Sequence, residues 1–116
     1  MINYRELCIN LGLASLIGAN LRGLILSKID FEEADLTGAD LTEADLNHAY
    51  LVGANLQGAN LEGADLAYAN LVLTNLESAN LKKCHFLKTN LEGANLKGAN
   101  LEGVNLKEAY LDYALV

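Results

Sequence analysis

Proline and tryptophan are absent from this 116-residue chain, and cysteine and basic residues are scarce. The spacing of the two cysteines, Cys8 and Cys84, matches no metal or redox motif, so a reduced, cytoplasmic protein is expected. Eight Lys and Arg stand against fifteen Asp and Glu, which gives a formal net charge of −7. Because nucleic-acid backbones and anionic membranes attract clustered cations, we expect no nucleic acid and no membrane as partner.

Long apolar stretches are also missing. No run of about 18 apolar residues occurs, so no transmembrane helix is predicted. The residues from Met1 to Glu6 lack a basic segment followed by an apolar run, so no signal peptide is expected. The length suffices for one domain, and the hydrophobic fraction of 52% suffices for a core.

What the chain does have is a five-residue period. Every fifth residue from Leu11 to Leu111 is leucine at 19 of 21 positions, and the other two, Phe31 and Phe86, are also large and apolar. We call this the centre position. Two residues before it, 14 of 21 residues are alanine, and one residue before it, 16 of 21 are asparagine or aspartate. The register never slips, which indicates one uninterrupted array.

Neither a regular helix nor a straight strand can use this period. Five residues advance an α-helix by about 500°, so the leucines would spiral around it, and along a strand they would alternate faces. A chain that turns once per five residues returns each leucine to the inside, and stacked coils then pair about 4.8 Å apart. The lack of proline fits because each coil needs its N–H groups. Glycine recurs two residues after the centre, where a turn demands unusual backbone angles.

The motif Ala-(Asn/Asp)-Leu-X-X, clearest from Ala94 to Gly103, resembles the signature of the pentapeptide-repeat family over roughly residues 9 to 116. The resemblance is to the cyanobacterial type, whose members mostly have no assigned activity. It implies an all-β fold, a right-handed, quadrilateral parallel β-helix with four pentapeptides per coil and hence about five coils. Residues 1–8 would form an N-terminal cap, with a short helix over 3–8 that begins at Asn3, and residues 9–116 the β-helix.

Most side chains of the array have a structural interpretation. The centre residues, including Phe31 and Phe86, are predicted to form the core, and Cys84 is a buried thiol at an alanine position. Cys8 precedes the regular repeat, and the period assigns it no place. Polar residues one before the centre stack in columns and could hydrogen-bond as amide ladders. One such column contains Asn20, Asp40, Asn60, Asn80 and Asn100.

No catalytic, cofactor-binding or metal site is predicted. His48 and His85 lie about two coils, or roughly 10 Å, apart, which is too far to share a zinc ion. Carboxylates are dense in the second coil and could flank a sugar as paired catalytic acids. These carboxylates occupy outward positions on a convex rod, which has no pocket to raise a pKa. We therefore expect a solvated acidic band and no enzyme. These carboxylates are Asp30, Glu32, Glu33, Asp35, Asp40, Glu43 and Asp45.

Several apolar residues occupy outward positions around one edge of the third and fourth coils. Stacking places Val52 under Val72, and Tyr68 between His48 and Lys88. Such a patch suggests a protein partner. The alternative is a set of scattered exposed apolar residues, which are normal in folded proteins. The candidate patch consists of Tyr50, Val52, Tyr68, Val72, Leu73 and Leu87, with Ala67 beside it.

The C-terminal end is the second candidate site. A last coil exposes unpaired backbone groups and apolar side chains, which are usually covered or paired. Two copies could therefore meet tail to tail about a two-fold axis, as a homodimer in which the N-terminal cap takes no part. The competing outcome is a monomer in which the last residues fold over as a lid. The residues concerned are Tyr110, Leu111, Tyr113, Leu115 and Val116.

The sequence thus predicts a non-enzymatic structural or protein-interaction module with an unidentified protein as partner. The family resemblance adds a competitor. One branch of the family protects DNA gyrase, a type II topoisomerase, through an acidic rod that resembles DNA. The acidity of this chain agrees with such a DNA mimic. The short rod, the absence of loop insertions and the confinement of acidic residues to one band weigh against it.

Overall fold

The computed structural model describes residues 2–116, and the only helix in that range is α1, Tyr4–Leu11. After α1 the described chain has no extended strand, and single-residue parallel bridges join residues twenty apart instead. The series begins with Asn20 and Asp40 and ends with Asn95 and Leu115. Residues twenty apart are therefore neighbours on successive coils, and residues 16–115 make five coils of four pentapeptides.

A hydrogen-bonded turn follows every centre residue. The centre C=O accepts from the N–H three residues later, as from Ala64 to Leu61 at 2.9 Å. The residue two after the centre has a left-handed φ at every position from Gly18 to Tyr113 except Glu108. This combination is typical of a type II turn. The recurrence of glycine at this position is therefore explained, although larger residues adopt the same angle here.

Backbone hydrogen bonds join each coil to its two neighbours. Leu61 N–H donates to Asn80 C=O at 2.8 Å, and Asn80 N–H donates back to Ala59 C=O at 2.9 Å. The same exchange recurs along all four sides of the array, except on one side between the fourth and fifth coils. A proline at any of these donors would remove one bond, which explains why the array contains none.

The core is a set of stacked leucine and alanine columns. Every centre residue from Leu21 to Leu91 is at most 5% exposed, and Phe31 and Phe86 are buried as predicted. Burial of each large side chain is worth about 1.5–3 kcal/mol, most of which conformational entropy cancels. With α1, the molecule measures 37 × 23 × 21 Å along its principal axes.

The helix α1 packs on the first coil. Asn3 is its N-cap, and the Asn3 side chain accepts from Glu6 N–H at 2.9 Å. Leu7 is 6% exposed and joins the core. Gly12 ends the helix in the left-handed conformation and donates its N–H to Ile9 C=O at 3.1 Å. The helix therefore begins after the N-cap Asn3, packs on the core through Leu7 and ends before the C-cap Gly12.

The helix is longer than predicted, and this moves the start of the array. It ends at Leu11, so residues 9–11 of the predicted β-helix are helical. Ile9 is 78% exposed and Leu11 is 41% exposed, and neither is an inward repeat residue. The physical reason is that the cap at Asn3 and the left-handed Gly12 define one continuous helix. Met1, part of the predicted cap 1–8, lies outside the described residues.

Candidate functional site

Two neighbouring columns of turns carry most of the candidate patch. One contains Tyr68 and Leu87, and the other contains Val52, Val72 and Leu73. The side of the rod between these two columns carries Tyr50. Parallel backbone bridges join Tyr50 to Asn70 on the next coil and Asn70 to Asn90 on the coil after that. The structure thus brings the predicted residues together along one side of the rod and its two bordering turns.

Exposure differs within this set. Leu73 is 66% exposed, Tyr68 50%, Leu87 44% and Tyr50 38%. Val52 and Val72 are half-buried. Ala67, expected to be outward, is buried at 7% exposure, because its small side chain lies beneath the larger neighbours in its column. We use the name apolar patch for Tyr50, Val52, Tyr68, Val72, Leu73 and Leu87.

Two rings stack on the surface of the patch. The centroids of His48 and Tyr68 are 4.9 Å apart, and the ring planes differ by 8°. His48 Nδ1 also contacts the side-chain oxygen of Asn47. Because aromatic rings pack with specific geometry, the pair forms a flat, ordered shelf that is half exposed to solvent.

Leu73 lies over the coil that follows it. A Cβ built on Gly93 would come within 2.8 Å of Leu73 Cδ2. The absence of a side chain at Gly93 therefore leaves the space that Leu73 occupies. Gly63 has the same relation to Glu43, whose Cγ would be 3.3 Å from the added Cβ.

The polar residues before the centre stabilise turns more than they form ladders. Their side-chain oxygens accept from the N–H two residues later, as Asn60 accepts from Glu62 at 3.1 Å. Amide contacts along the stack also occur, including Asn80 Nδ2 to Asn60 Oδ1 at 3.2 Å. The predicted ladder is thus present, but the local contact recurs far more often.

The acidic band has a solvated, structural arrangement. The hydroxyl of Thr37 donates to Asp35 at 2.6 Å and, with the Thr37 N–H, lowers the pKa of that carboxyl. The hydroxyl of Thr42 lowers the pKa of Asp40 more strongly than burial raises it. Asp40 also pairs with Arg22 at 3.2 Å. These contacts favour the ionised carboxylates, and a catalytic acid would need the opposite shift.

Three inward residues carry a polar group, and each donates to a backbone carbonyl. Thr74 bonds Leu51 C=O at 2.8 Å, and Thr89 bonds Leu66 C=O at 2.7 Å. Cys84 is 3% exposed with Sγ 2.8 Å from Leu61 C=O, which confirms the predicted buried thiol. Burial raises the pKa of Cys84 to about 12, so it is not a nucleophile at neutral pH.

The second cysteine lies at the other end of the rod. Cys8 is half-buried on α1 and packs against the core. It lines a cleft of about 430 Å³ between α1 and the first coil, together with Tyr4 and Leu13. Both cysteines are free thiols, and their positions near opposite ends exclude a bond between them.

The ladder between the fourth and fifth coils is interrupted on one side. In the described chain no bridge joins His85 to Asn105, and Phe86 N–H has no backbone acceptor. Beyond the interruption, Lys88 N–H bonds Glu108 C=O, one residue further along than the equivalent bonds elsewhere. A cleft of about 780 Å³ opens there. Its lining includes Glu43, Lys83, Cys84, His85, Phe86, Leu87, Asn105 and Glu108.

The C-terminal residues continue the array and form no lid. Leu115 bridges Asn95, and Leu96 N–H donates to Leu115 C=O at 2.7 Å. The alternative in which these residues fold over the last coil is therefore wrong, because coil pairing holds them in register. Tyr113 is 86% and Val116 79% exposed. Tyr110 and Leu115 are also exposed, and Leu111 is half-buried.

Sequence reasoning missed apolar surface near the N-terminal end. Ile25 is 81% and Ile17 58% exposed, and Leu13 is also exposed. Ile25 occupies the position before the centre, which normally carries a polar, outward residue. The five-residue period was therefore sufficient to predict that Ile25 is exposed. Ile17 directly follows a centre residue, at a turn position that is outward in the pentapeptides other than the one with Ala67.

In residues 2–116, no group of three or more His, Cys, Asp or Glu residues is arranged to hold a metal ion. No helix in the same range is long and apolar enough to cross a membrane. The apolar patch, the cleft and the C-terminal coil are thus the surfaces on which a function can be argued.

Comparison with known proteins identifies similar repeats and structures. The family model described as Pentapeptide repeats (8 copies) matches residues 14–51, 44–82 and 74–112. The chain is similar to a pentapeptide repeat protein from the Arabidopsis thaliana thylakoid lumen, with 32% identity and a TM-score of 0.76 over 79% of this chain and 64% of that one. It is also similar to HetL, a pentapeptide repeat protein involved in heterocyst differentiation regulation from the cyanobacterium Nostoc sp.. That match has 39% identity and a TM-score of 0.56 over 85% of this chain and 45% of that one.

The matches also have limits. The chain spans less than two thirds of the length of either structure. QnrB1, a plasmid-mediated fluoroquinolone resistance protein, is 15% identical, with a TM-score of 0.40 over 83% of this chain and 78% of that one. No curated protein matches the chain significantly.

Proposed function

Because the chain belongs to the pentapeptide-repeat family, whose solved members imply a right-handed, quadrilateral β-helix, we propose that it is a non-enzymatic module that binds another protein. The observation that carries this proposal is the apolar patch. Leu73, Tyr68 and Leu87 expose between 44% and 66% of their surface together on one side of the rod. Clustered Tyr, Leu and Val surface of this kind is typical of protein interfaces.

The arrangement of ionisable groups supports a non-enzymatic role. Asp35 and Asp40 accept hydrogen bonds that lower their pKa values, so neither is held as an acid at neutral pH. Cys84 is buried, and its thiol pKa is about 12. These three groups therefore provide neither a general acid with a raised pKa nor an activated nucleophile.

Binding through the patch is testable with three substitutions. Changing Tyr68, Val72 and Leu87 to Ser should abolish affinity capture of the partner from a lysate of the source cell, while the melting curve stays almost unaltered. A matched variant with Ile17 and Ile25 changed to Ser removes exposed apolar surface elsewhere and should capture normally. Undiminished capture by the triple variant would refute the patch, and a large loss of stability would show that these residues belong to the core.

A DNA mimic directed at a topoisomerase remains the competing function, and charge is the observation that favours it. The chain has a net charge of −7, but the acidic residues from Asp30 to Asp45 crowd one part of the rod. Salt separates the two functions. Affinity of a DNA mimic should fall steeply as salt rises, whereas binding through Tyr, Val and Leu should change little.

Self-association through the C-terminal coil is a further part of the proposal. Tyr113 and Val116 are largely exposed beside the half-buried Leu111. The backbone N–H and C=O groups of this coil that face away from the fourth coil have no partner in the chain described. A tail-to-tail homodimer would cover both. Light scattering at about 100 μM should give a dimer mass, and a variant with Tyr110, Tyr113 and Leu115 changed to Lys should be monomeric. A monomeric mass for the unmodified protein would end this part of the proposal.

We also propose a cytoplasmic location, because both cysteines are free thiols, as is usual in a reducing compartment. The related Arabidopsis thaliana protein is a thylakoid lumen protein, which makes the lumen the specific alternative. Fractionation of source cells, with immunodetection of the untagged protein, distinguishes the two. Recovery in a lumenal fraction would contradict the cytoplasmic location.

A further inference from the structure

One column of turn residues carries no carboxylate in the first four coils, although the protein is strongly acidic. Stacking at twenty-residue intervals aligns Lys28, His48, Tyr68 and Lys88, which we call the His48 column. The residues that precede these four in their turns are Ser27, Asn47, Ala67 and Leu87, and none of them is acidic either. Against a net charge of −7, the column carries a lysine in the first coil and in the fourth coil and no negative charge between them. In the fifth coil it continues with Glu108, which Lys107 precedes.

These two lysines have no carboxylate partner within the described chain. Its salt bridges are Arg22–Asp40 at 3.2 Å and Lys82–Glu102 at 3.9 Å, which involve other lysine and arginine side chains. Lys28 and Lys88 are both exposed. Their charges are thus available to a partner, and the neighbouring column contributes the exposed Leu73 of the apolar patch.

Between the lysines lies an apolar and aromatic surface. The stacked rings of His48 and Tyr68 form a flat shelf with centroids 4.9 Å apart. Leu87 adjoins Lys88 and borders the cleft of about 780 Å³, whose wall carries Lys83 together with Glu43 and Glu108. A partner that crosses this surface would therefore meet positive charge, then an aromatic and aliphatic centre, then positive charge again.

The spacing of these groups suits an extended peptide. Lys28 and Lys88 are three coils apart, roughly 14 Å at about 4.8 Å per coil. An extended chain rises about 3.3 Å per residue, so two carboxylates that reach both lysines would be about four residues apart. Side chains at positions one, three and five of such a segment share one face. The third would thus project onto the His48–Tyr68 shelf.

Resting on the proposed protein-binding function, we infer that the partner presents an extended acidic-apolar segment that runs along the His48 column. Its pattern is acid-X-apolar-X-acid, with an aromatic or large aliphatic residue in the middle. The two carboxylates meet Lys28 and Lys88, and the middle side chain covers Tyr68. Complementary charge would then select the partner and fix its register, while the apolar centre supplies affinity.

The test uses a displayed library of random twelve-residue peptides as the probe. Selection on the intact protein should enrich the acid-X-apolar-X-acid pattern. Peptides selected in this way should bind a Lys28→Glu, Lys88→Glu variant at least ten-fold more weakly. A matched variant, Lys82→Glu with Lys97→Glu, changes net charge equally at other positions and should bind them almost as well as the unmodified protein. Melting curves of both variants establish that they are folded.

Several outcomes would overturn the inference. It falls if the library yields no binders, if basic peptides are enriched, or if the two charge-reversed variants lose affinity equally. Binding of a twelve-nucleotide single strand that is lost in the Lys28→Glu, Lys88→Glu variant would show that the column recognises nucleic acid instead. If the Ser variant of Tyr68, Val72 and Leu87 loses its cellular partner while peptides show no acidic preference, the proposed function stands and this inference alone fails.

Discussion

The side chain before each centre residue acts mainly on its own turn. Asp35 and Asn60 use one side-chain oxygen to accept the N–H two residues later, at 3.1 Å in both cases. Only an acceptor oxygen is required, so Asn and Asp are interchangeable there. Where the residue two positions later is threonine, as at Thr37, the hydroxyl donates a second bond to the same carboxylate. This second bond stabilises the negative charge of Asp, whereas Asn has no charge to stabilise.

The Thr37 hydroxyl makes this effect testable. Because it is the largest cause of the lowered pKa of Asp35, Thr37→Val should raise that pKa toward its ordinary value of 3.8. An NMR titration of the Asp35 carboxyl measures the change. A lowered folded-state pKa contributes stability above the unfolded value, and that stability is lost as pH falls through the folded value. Thr37→Val should therefore reduce the loss of stability on acidification below about pH 4, and an unchanged pKa would contradict the assignment.

The left-handed turn position shows a second residue-scale rule. Along one column Glu33, Gly53, Leu73, Gly93 and Tyr113 alternate between a side chain and a glycine. Glu33 and Leu73 lean over the glycine of the following coil, as the contact distances at Gly53 and Gly93 show. Glycine in this column therefore leaves the space that the side chain of the preceding coil occupies, and it adopts the left-handed angle with less strain than a larger residue.

A double-mutant cycle separates the cost of the left-handed backbone angle from the cost of the contact with Leu73. Gly58→Ala meets no atom within 4 Å, so it should cost only the left-handed strain of about 1 kcal/mol. Gly93→Ala has the same strain and must also displace Leu73 Cδ2, for an additional cost of about 0.5–1.5 kcal/mol. The additional cost should vanish in a Leu73→Ala background. Urea unfolding of the unmodified protein, the three single variants and the Leu73→Ala, Gly93→Ala double variant measures this cost, and equal costs at Gly58 and Gly93 would refute the contact.

At the scale of single elements, α1 depends on one buried contact. Leu7→Ala should destabilise the protein by about 2–3 kcal/mol, because Leu7 is 6% exposed and joins the core. Ile9→Ala, at 78% exposure on the same helix, should cost less than about 0.5 kcal/mol. Thermal melts of the two variants provide the comparison. A larger loss from Ile9→Ala would mean that α1 packs on the coil through another face.

A coil, by contrast, depends on its inward column. Leu61 is 0% exposed among other leucines, so Leu61→Asp should unfold the protein or cost more than about 4 kcal/mol. Glu62 is the next residue and points outward, and Glu62→Lys should cost less than about 0.5 kcal/mol. Chemical denaturation of both variants tests the assignment, which equal losses would disprove.

The period was sufficient to predict some elements and not others. Leu61 and Asn60 have the positions that a five-residue turn requires, since each interaction repeats every coil. The end of α1 at Leu11 could not be predicted, because Ile9 and Leu11 satisfy the repeat while Asn3 and Gly12 stabilise a helix over the same residues. Asn105 also fits the repeat, yet its pairing is broken. There Val104 stacks above Cys84, and both are larger than the alanine usual at that position.

The apolar patch was predictable only in outline. The twenty-residue stack placed Tyr68 beside His48, but the near-parallel rings depend on rotamers that the period does not specify. Ala67 shows the opposite case. It occupies an outward position, but its small size lets neighbouring side chains cover it.

At the scale of the whole molecule, the two thiols report on different parts of the fold. Cys8 is half-buried on α1, whereas Cys84 is 3% exposed with a pKa of about 12. At pH 8 a disulfide reagent should therefore modify one thiol per chain in minutes and the second far more slowly. Mass mapping of the labelled peptides checks the order, with a Cys8→Ser variant as the control. Faster labelling of Cys84 would show that its thiol is not buried in solution.

The interrupted ladder between His85 and Asn105 has a consequence for the cooperativity of unfolding. A stack of coils behaves as a row of coupled units, and the weakest coupling decides where the row divides. The fifth coil is coupled through three complete sides, whereas the interior coils are coupled through four. Amide protons of the fourth coil that bond across this junction, such as that of Lys88, should exchange with deuterium through a partial opening. Those of Leu51 and Leu61 should exchange only when the whole array unfolds.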